Sequence, residues 1–188
     1  MRCHLSLTVA ILGLSLSVVG CSKPAPPPAN PKAAKPWFDE KKHHRKGEGP
    51  STPQQDAILK VLDEDRQHFR TGFETLQADS QPSNVSKMIA DYLSHRDQAD
   101  LAPCPSEFVA AHQRHTKAWR QLQTALARLP DAYEGLEFMD ALFALFHGDS
   151  TKGRPLGGDV IQAVKKINQA FAEEYTAAEV YGIETDRR

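Results

Sequence analysis

The chain has 188 residues and a formal net charge of −1, so no excess of positive charge favours nucleic acid as a partner. Hydrophobic residues make up 40% of the chain and the mean hydropathy is −0.51, which excludes a protein with several membrane spans. Three cysteines are too few for a fold that depends on disulfides. These values suit one domain of ordinary size with additional segments.

Residues 1–20 have the pattern of a secretory signal peptide. Arg2 supplies a positive charge, and the run from Leu5 to Val19 is apolar or small and contains no charged residue. Such a run is short for a membrane span but has the length of a signal-peptide core. We therefore expect these residues to be absent from the mature domain.

The end of this run resembles the lipobox of bacterial lipoproteins, because Val18, Val19 and Gly20 precede Cys21. The resemblance implies cleavage before Cys21 and attachment of acyl chains such as palmitate to its thiol and to the new amino group. Two or more acyl chains hold a protein on a membrane stably, whereas one does so only marginally. In Gram-negative members of this class, Ser22 in place of aspartate implies the outer membrane, facing the periplasm. The alternative is an ordinary secretory signal with a chance cysteine.

Residues 21–51 are predicted to be the lipidated cysteine and a disordered tether. Prolines alternate with alanine and lysine here, a composition that favours extended polyproline segments and cannot bury a core. Basic residues outnumber acidic ones, which leaves two interpretations open. The segment is a solvated spacer, or it lies on an anionic surface with Trp37 and Phe38 at the headgroup boundary. The adjacent His43 and His44 would make only a weak metal site.

Residues 52–184 are predicted to form an all-α domain, an antiparallel four-helix-type bundle of four long helices with or without one extra short helix. Thr52, Pro53 and Gln55 give the first helix an N-cap, a proline at its first position and a capping box. The other helices are predicted over about residues 83–95, 103–129, 131–148 and 159–182, the last two beginning with caps at Asp131 and Asp159. No alternating strand pattern of useful length occurs.

Four polar residues occupy positions on the apolar stripes of these helices. Asp65 interrupts the stripe of the first helix, His112 and His115 that of the third, and Glu174 that of the last. The four positions lie at comparable heights, so a bundle can bring them together at its axis. A buried carboxylate is costly unless it is paired, so these groups need partners.

Several interpretations of this cluster remain open. It is a hydrogen-bonded network that fixes helix register, or its members lie at the edge of the stripe and reach water. Alternatively, Asp65, His112, His115 and Glu174 are ligands of zinc or non-haem iron, for which imidazole and carboxylate are acceptable. A third interpretation is non-covalent haem, with a histidine and Met88 or Met139 as axial ligands.

Cys104 is the one cysteine that remains after export and lipidation, so it cannot form an intramolecular disulfide. Its place at a predicted helix start is expected to lower its pKa and raise its reactivity. An intermolecular bridge and an inert role near the helix cap are the alternatives.

The sequence contains no catalytic motif, and the glycines at 148 and 153 lack the lysine that a phosphate-binding loop requires. We therefore predict a lipid-anchored, extracytoplasmic helical-bundle protein with a non-catalytic binding or structural role in the cell envelope. Its partners would be the membrane, through the lipid, and another envelope protein. The competing hypothesis is a metal- or haem-binding bundle for electron transfer or metal handling. Hydrolysis at the polar cluster is the third.

Overall fold

The computed structural model describes residues 43–47, 49–76, 81–129 and 135–185, all within one compact unit, Lys35–Arg188. Most of these residues are helical, which confirms the predicted all-α fold class. The predicted signal peptide, Cys21 and the tether as far as residue 42 lie outside the described residues, as does the predicted cap at Asp131. No helix in the described ranges has the length and apolar character needed to cross a membrane.

The described residues form five helices and one small sheet. The helices are α1 (Pro53–Leu76), α2 (Pro82–Asp97), α3 (Ser106–Leu126), α4 (Gly135–Phe146) and α5 (Gly157–Val180). A short 3-10 turn, Arg154–Leu156, leads into α5. The strands are β1 (His43–Arg45) and β2 (Ile183–Thr185), which pair antiparallel.

The helix boundaries follow local signals at some ends and depart from them at others. The capping box of α1 is confirmed: the backbone N of Gln55 donates to Thr52 Oγ1 at 3.2 Å, and the backbone N of Thr52 donates to Gln55 Oε1 at 3.0 Å. The predicted cap at Asp159 is wrong, because α5 already begins at Gly157 and Asp159 lies in its first turn. Gly157 has a φ of +83°, a conformation that glycine adopts without strain, and it lets the helix start directly after the 3-10 turn.

Helix α3 packs against both α2 and α5, α1 packs against α2, and α4 packs against α5. The apolar side chains form two separate cores. The larger core includes Phe69, Tyr92, Trp119, Leu122, Phe138, Leu142 and Ile167. The smaller core consists of Ile58, Val61, Leu62, Phe108, Ala178 and Ile183. Along α1, α3 and α5, the predicted polar positions fall between the residues of these two cores.

The sheet was not predicted from the sequence. Strand β1 lies inside the range assigned to the tether, so the folded part begins earlier than residue 52. The backbone N of Lys46 donates to the carbonyl of Gly182 at 2.7 Å, and Ile183 of β2 is buried in the smaller core. Three-residue strands are too short to show an alternating pattern. The two strands also lie at opposite ends of the domain's sequence, so neither segment indicates its partner. The strand pair thus joins the segment before α1 to the segment after α5.

Candidate functional site

The four predicted polar residues lie together in one buried cluster, which we call the polar core. It consists of Asp65 from α1, Tyr92 and Arg96 from α2, His112, His115 and Thr116 from α3, and Glu174 from α5. The most exposed member, Asp65, has only 8% of its surface accessible. Four helices therefore contribute polar groups to a region that has little access to water.

Arg96 lies at the centre of the polar core, with both carboxylates on its guanidinium group. Nη1 donates to Asp65 Oδ2, and Nη2 donates to Glu174 Oε1 at 3.0 Å. Nε donates to Thr116 Oγ1 at 2.9 Å, and Nη2 also donates to the carbonyl of His112 at 3.2 Å. Each guanidinium nitrogen thus has a partner, as a fully buried charge requires. The negative charges of Glu174 and Asp65 raise the pKa of Arg96 although burial opposes this, so the group stays charged.

Arg96 was missed in the sequence analysis, although a signal for it exists. The apolar stripe of α2 runs through Val85, Ile89 and Tyr92, and the next position at helical spacing is residue 96. An arginine near the end of a predicted helix is usually solvated, so it is easily left out of the buried stripe. Extending the stripe of α2 by one position includes Arg96, which is the counter-charge of the two buried carboxylates.

Tyr92 connects Arg96 to Asp65. Its hydroxyl donates to Asp65 Oδ2 at 2.9 Å and accepts from Arg96 Nη1 at 3.0 Å. Burial raises the pKa of Tyr92 well above its usual range, so the phenol keeps the proton that it donates. Tyr92 also packs edge-on against Trp119 at a centroid distance of 5.2 Å, which places it at the border with the larger apolar core.

His115 uses both of its ring nitrogens within the protein. Trp119 Nε1 lies 3.0 Å from His115 Nε2, and an indole N–H can only donate, so Nε2 is the acceptor. The proton is therefore on Nδ1, which donates to Glu174 Oε2 at 2.5 Å. Burial lowers the pKa of His115 and the charge of Arg96 lowers it further, against the opposing effect of Glu174. The imidazole is neutral and in a single tautomer.

His112 has one engaged and one free ring nitrogen. Its Nδ1 lies 2.7 Å from Glu174 Oε1 and 3.0 Å from Arg96 Nη2, and the shorter contact with a carboxylate assigns the proton to Nδ1. Its Nε2, like Asp65 Oδ1, is buried and has no hydrogen-bond partner in the described part of the chain. Glu174 thus receives hydrogen bonds from three side chains. These, with the charge of Arg96, hold its pKa well below the usual range although burial would raise it.

Three of the four predicted metal ligands, Asp65, His112 and Glu174, contact the guanidinium group of Arg96, and the fourth, His115, bonds to Glu174. Within the described ranges, no group of three or more histidine, cysteine, aspartate or glutamate side chains is arranged to hold a metal ion. A nitrogen ligand must offer a lone pair, and both nitrogens of His115 are already engaged. Of the two methionines considered for haem, Met139 is buried in the larger core and Met88 lines a cleft between α1 and α2. The arrangement matches the interpretation of a hydrogen-bonded network between helices.

Cys104 lies outside the polar core, and its predicted activation is wrong. Burial and the negative charge of Asp100 raise the pKa of its thiol. Helix α3 begins at Ser106 with Pro105 at its N-cap, so Cys104 precedes the first turn. Its own backbone N–H donates to the carbonyl of Leu101 at 3.0 Å. The partial positive charge of a helix start therefore does not act on this thiol as expected.

Comparison of the chain with protein-family models, with curated proteins and with solved structures gives no match.

Proposed function

We propose that this chain is a lipid-anchored, extracytoplasmic helical protein with a non-catalytic binding or structural role in the cell envelope. The anchor is proposed from the resemblance around Cys21. The observation that carries the non-catalytic part is the polar core, in which titratable groups of four helices bond to one another. A catalytic group must reach a substrate, whereas Arg96, His112, His115 and Glu174 are each no more than 2% exposed.

In this proposal the polar core fixes the helices relative to one another. Glu174 of α5 bonds to two residues of α3 and one of α2, and Arg96 of α2 bonds in turn to Asp65 of α1. A shift of α1, α2 or α5 by a turn would leave a buried charge unpaired, and a shift of α3 would take both histidine donors away from Glu174, so the network selects one register. We further propose that α1, α2, α3 and α5 are the helices of an antiparallel four-helix bundle, with α4 packed on α5.

The proposed tether would reach the domain through β1. This strand pairs with β2, and Lys46 Nζ lies 3.0 Å from Glu184 Oε1 across the pair. A pull on the N-terminal lipid would therefore act on the strand pair that joins the two ends of the domain. The outward surface of the helices would then be free to meet another envelope protein.

The anchor is tested with two matched cysteine variants of the full chain in a Gram-negative host. Cys21→Ala is expected to abolish acylation and release the chain from the membrane fraction, whereas Cys104→Ala should remain acylated and membrane-bound. Mass spectrometry of the mature N-terminus gives the direct measurement. Retention of Cys21→Ala at the wild-type level, or a wild-type N-terminus without fatty acid, would contradict the proposal.

The destination is tested separately with Ser22→Asp. By the sorting rule of this class, the aspartate should move the lipidated chain from the outer to the inner membrane. An unchanged distribution on a density gradient would reject the outer-membrane assignment and leave the anchor intact.

A further inference from the structure

A second pair of histidines lies away from the polar core, on the surface between α1 and α2. His68 and His95 stack with their ring centroids 4.3 Å apart and their planes 2° apart. Both are partly buried, and His68 lines the cleft of about 510 Å³ between these helices. In the described part of the chain, neither imidazole makes a hydrogen bond or an ion pair. Their ring nitrogens are therefore available to a ligand from solvent, unlike those of His115.

We propose that His68 and His95 together bind one divalent transition-metal ion, with Cu²⁺ preferred over Zn²⁺ and Ni²⁺. Imidazole nitrogen suits this class of ion, and the order of affinity follows the general order for nitrogen ligands. Mg²⁺ and Ca²⁺ prefer oxygen ligands and should not bind. The site goes beyond the proposed envelope role and does not depend on it.

Binding requires both side chains to leave the stacked arrangement. A metal–nitrogen bond is about 2.0–2.1 Å long and lies in the plane of its imidazole ring, so two nitrogens on one ion lie roughly 3–3.5 Å apart and both ring planes pass through the ion. Ring planes only 2° apart, with centroids 4.3 Å apart, do not meet at such a point, so the rings must turn strongly relative to each other. Because the residues belong to neighbouring helices, the bound ion would link α1 to α2.

Charges of both signs lie near the pair, namely the carboxylates of Glu64 and Asp65 and the guanidinium group of Arg96. Since the described ranges contain no third ligand arranged for a metal, water is expected to complete the coordination.

The test is calorimetric titration of the full chain, without an affinity tag and in detergent micelles, with Cu²⁺, Zn²⁺, Mg²⁺ and Ca²⁺. We expect one Cu²⁺ or Zn²⁺ per chain at this site and no binding of Mg²⁺ or Ca²⁺. His68→Ala and His95→Ala should each weaken binding at least tenfold. The exposed His147 is the matched control, and His147→Ala should bind as the wild type does.

Three outcomes would overturn this site. Wild-type affinity in both His68→Ala and His95→Ala would show that the pair is not the ligand. Loss of binding in His44→Ala would assign the ion to strand β1, and loss in His112→Gln would assign it to the polar core. Thermal melting without metal controls for folding, and His68→Gln and His95→Gln replace any alanine variant that melts early. Added Zn²⁺ should raise the melting temperature of the wild type and not that of the pair variants.

Discussion

The two histidine pairs of this protein have the same side chains and opposite surroundings. His112 and His115 are buried, and both donate to Glu174 beside a charged Arg96. His68 and His95 are partly buried, stack on each other, and make no hydrogen bond in the described part of the chain. The first pair links α3 to α5 through hydrogen bonds, and the second pair is partly exposed to solvent. Partners and burial thus decide what an imidazole can do.

The largest expected effect comes from Arg96→Met, which leaves two buried carboxylates without their counter-charge. Removing one partner of a buried ion pair typically costs about 3–5 kcal/mol, because the remaining charge stays in a medium that does not solvate it. The free energy of unfolding, measured by urea titration, should fall by about that amount. The matched control is Arg114→Met, since Arg114 is 55% exposed and pairs on the surface with Glu173. This variant should lose less than about 1 kcal/mol. Equal losses in the two variants would show that Arg96 is not the centre of a buried network.

His115→Phe should destabilise the protein by about 1–3 kcal/mol, because Trp119 Nε1 and Glu174 Oε2 each lose a buried partner. Denaturant unfolding measures this loss. His68→Phe is the corresponding change in the surface pair and should alter stability by no more than about 0.5 kcal/mol. A stable His115→Phe variant beside a destabilised His68→Phe variant would reverse the roles assigned to the two pairs.

Acid should destabilise the protein in two successive ranges. Burial lowers the pKa of His115 below its ordinary value of 6.5, so the unfolded chain binds the proton more readily. The contribution of His115 to the free energy of unfolding is fully present above pH 6.5 and is lost as the pH drops below that value. The lowered pKa of Glu174 acts in the same direction below its ordinary value of 4.5. The urea midpoint should therefore stay level from pH 8 to about pH 6.5 and decrease from there to pH 4.

The variant His115→Phe sharpens this pH prediction. It should reduce the slope in the first range without abolishing it, because the pKa values of His43 and His95 are lowered as well. A midpoint that is constant from pH 8 to pH 5 in the wild type would contradict the neutral, buried state of His115.

The smallest effect concerns Cys104, a partly buried group outside both histidine pairs. Its raised pKa leaves less thiolate at neutral pH, so a thiol reagent should label the native protein more slowly than the urea-unfolded chain. Labelling that is faster in the native state would mean that the thiol is activated after all. Cys104→Ala provides the background signal in this assay.

Much of the helical part could be predicted from the sequence, because its signals are local and periodic. The stripes of α1, α3 and α5 correctly placed Asp65, His112, His115 and Glu174 on buried faces. Helix α1 begins where its capping box predicts.

The features that were missed depend on contacts between distant residues. Strands β1 and β2 consist of three residues each and pair from opposite ends of the domain, so neither segment carries a pattern of its own. Arg96 was missed because a charged residue at a helix end is ordinarily exposed. Its role follows only from the two carboxylates that α1 and α5 bring to it.

The most direct test of the self-contained polar core is the protonation state of His115, read from the ¹⁵N shifts of its imidazole by nuclear magnetic resonance at neutral pH. We expect a neutral ring with its proton on Nδ1, held by Glu174, and an Nε2 that accepts from Trp119. The Nδ1 proton should exchange slowly with water. A proton on Nε2, a charged ring, or exchange as fast as in a free imidazole would contradict this buried, neutral state of His115.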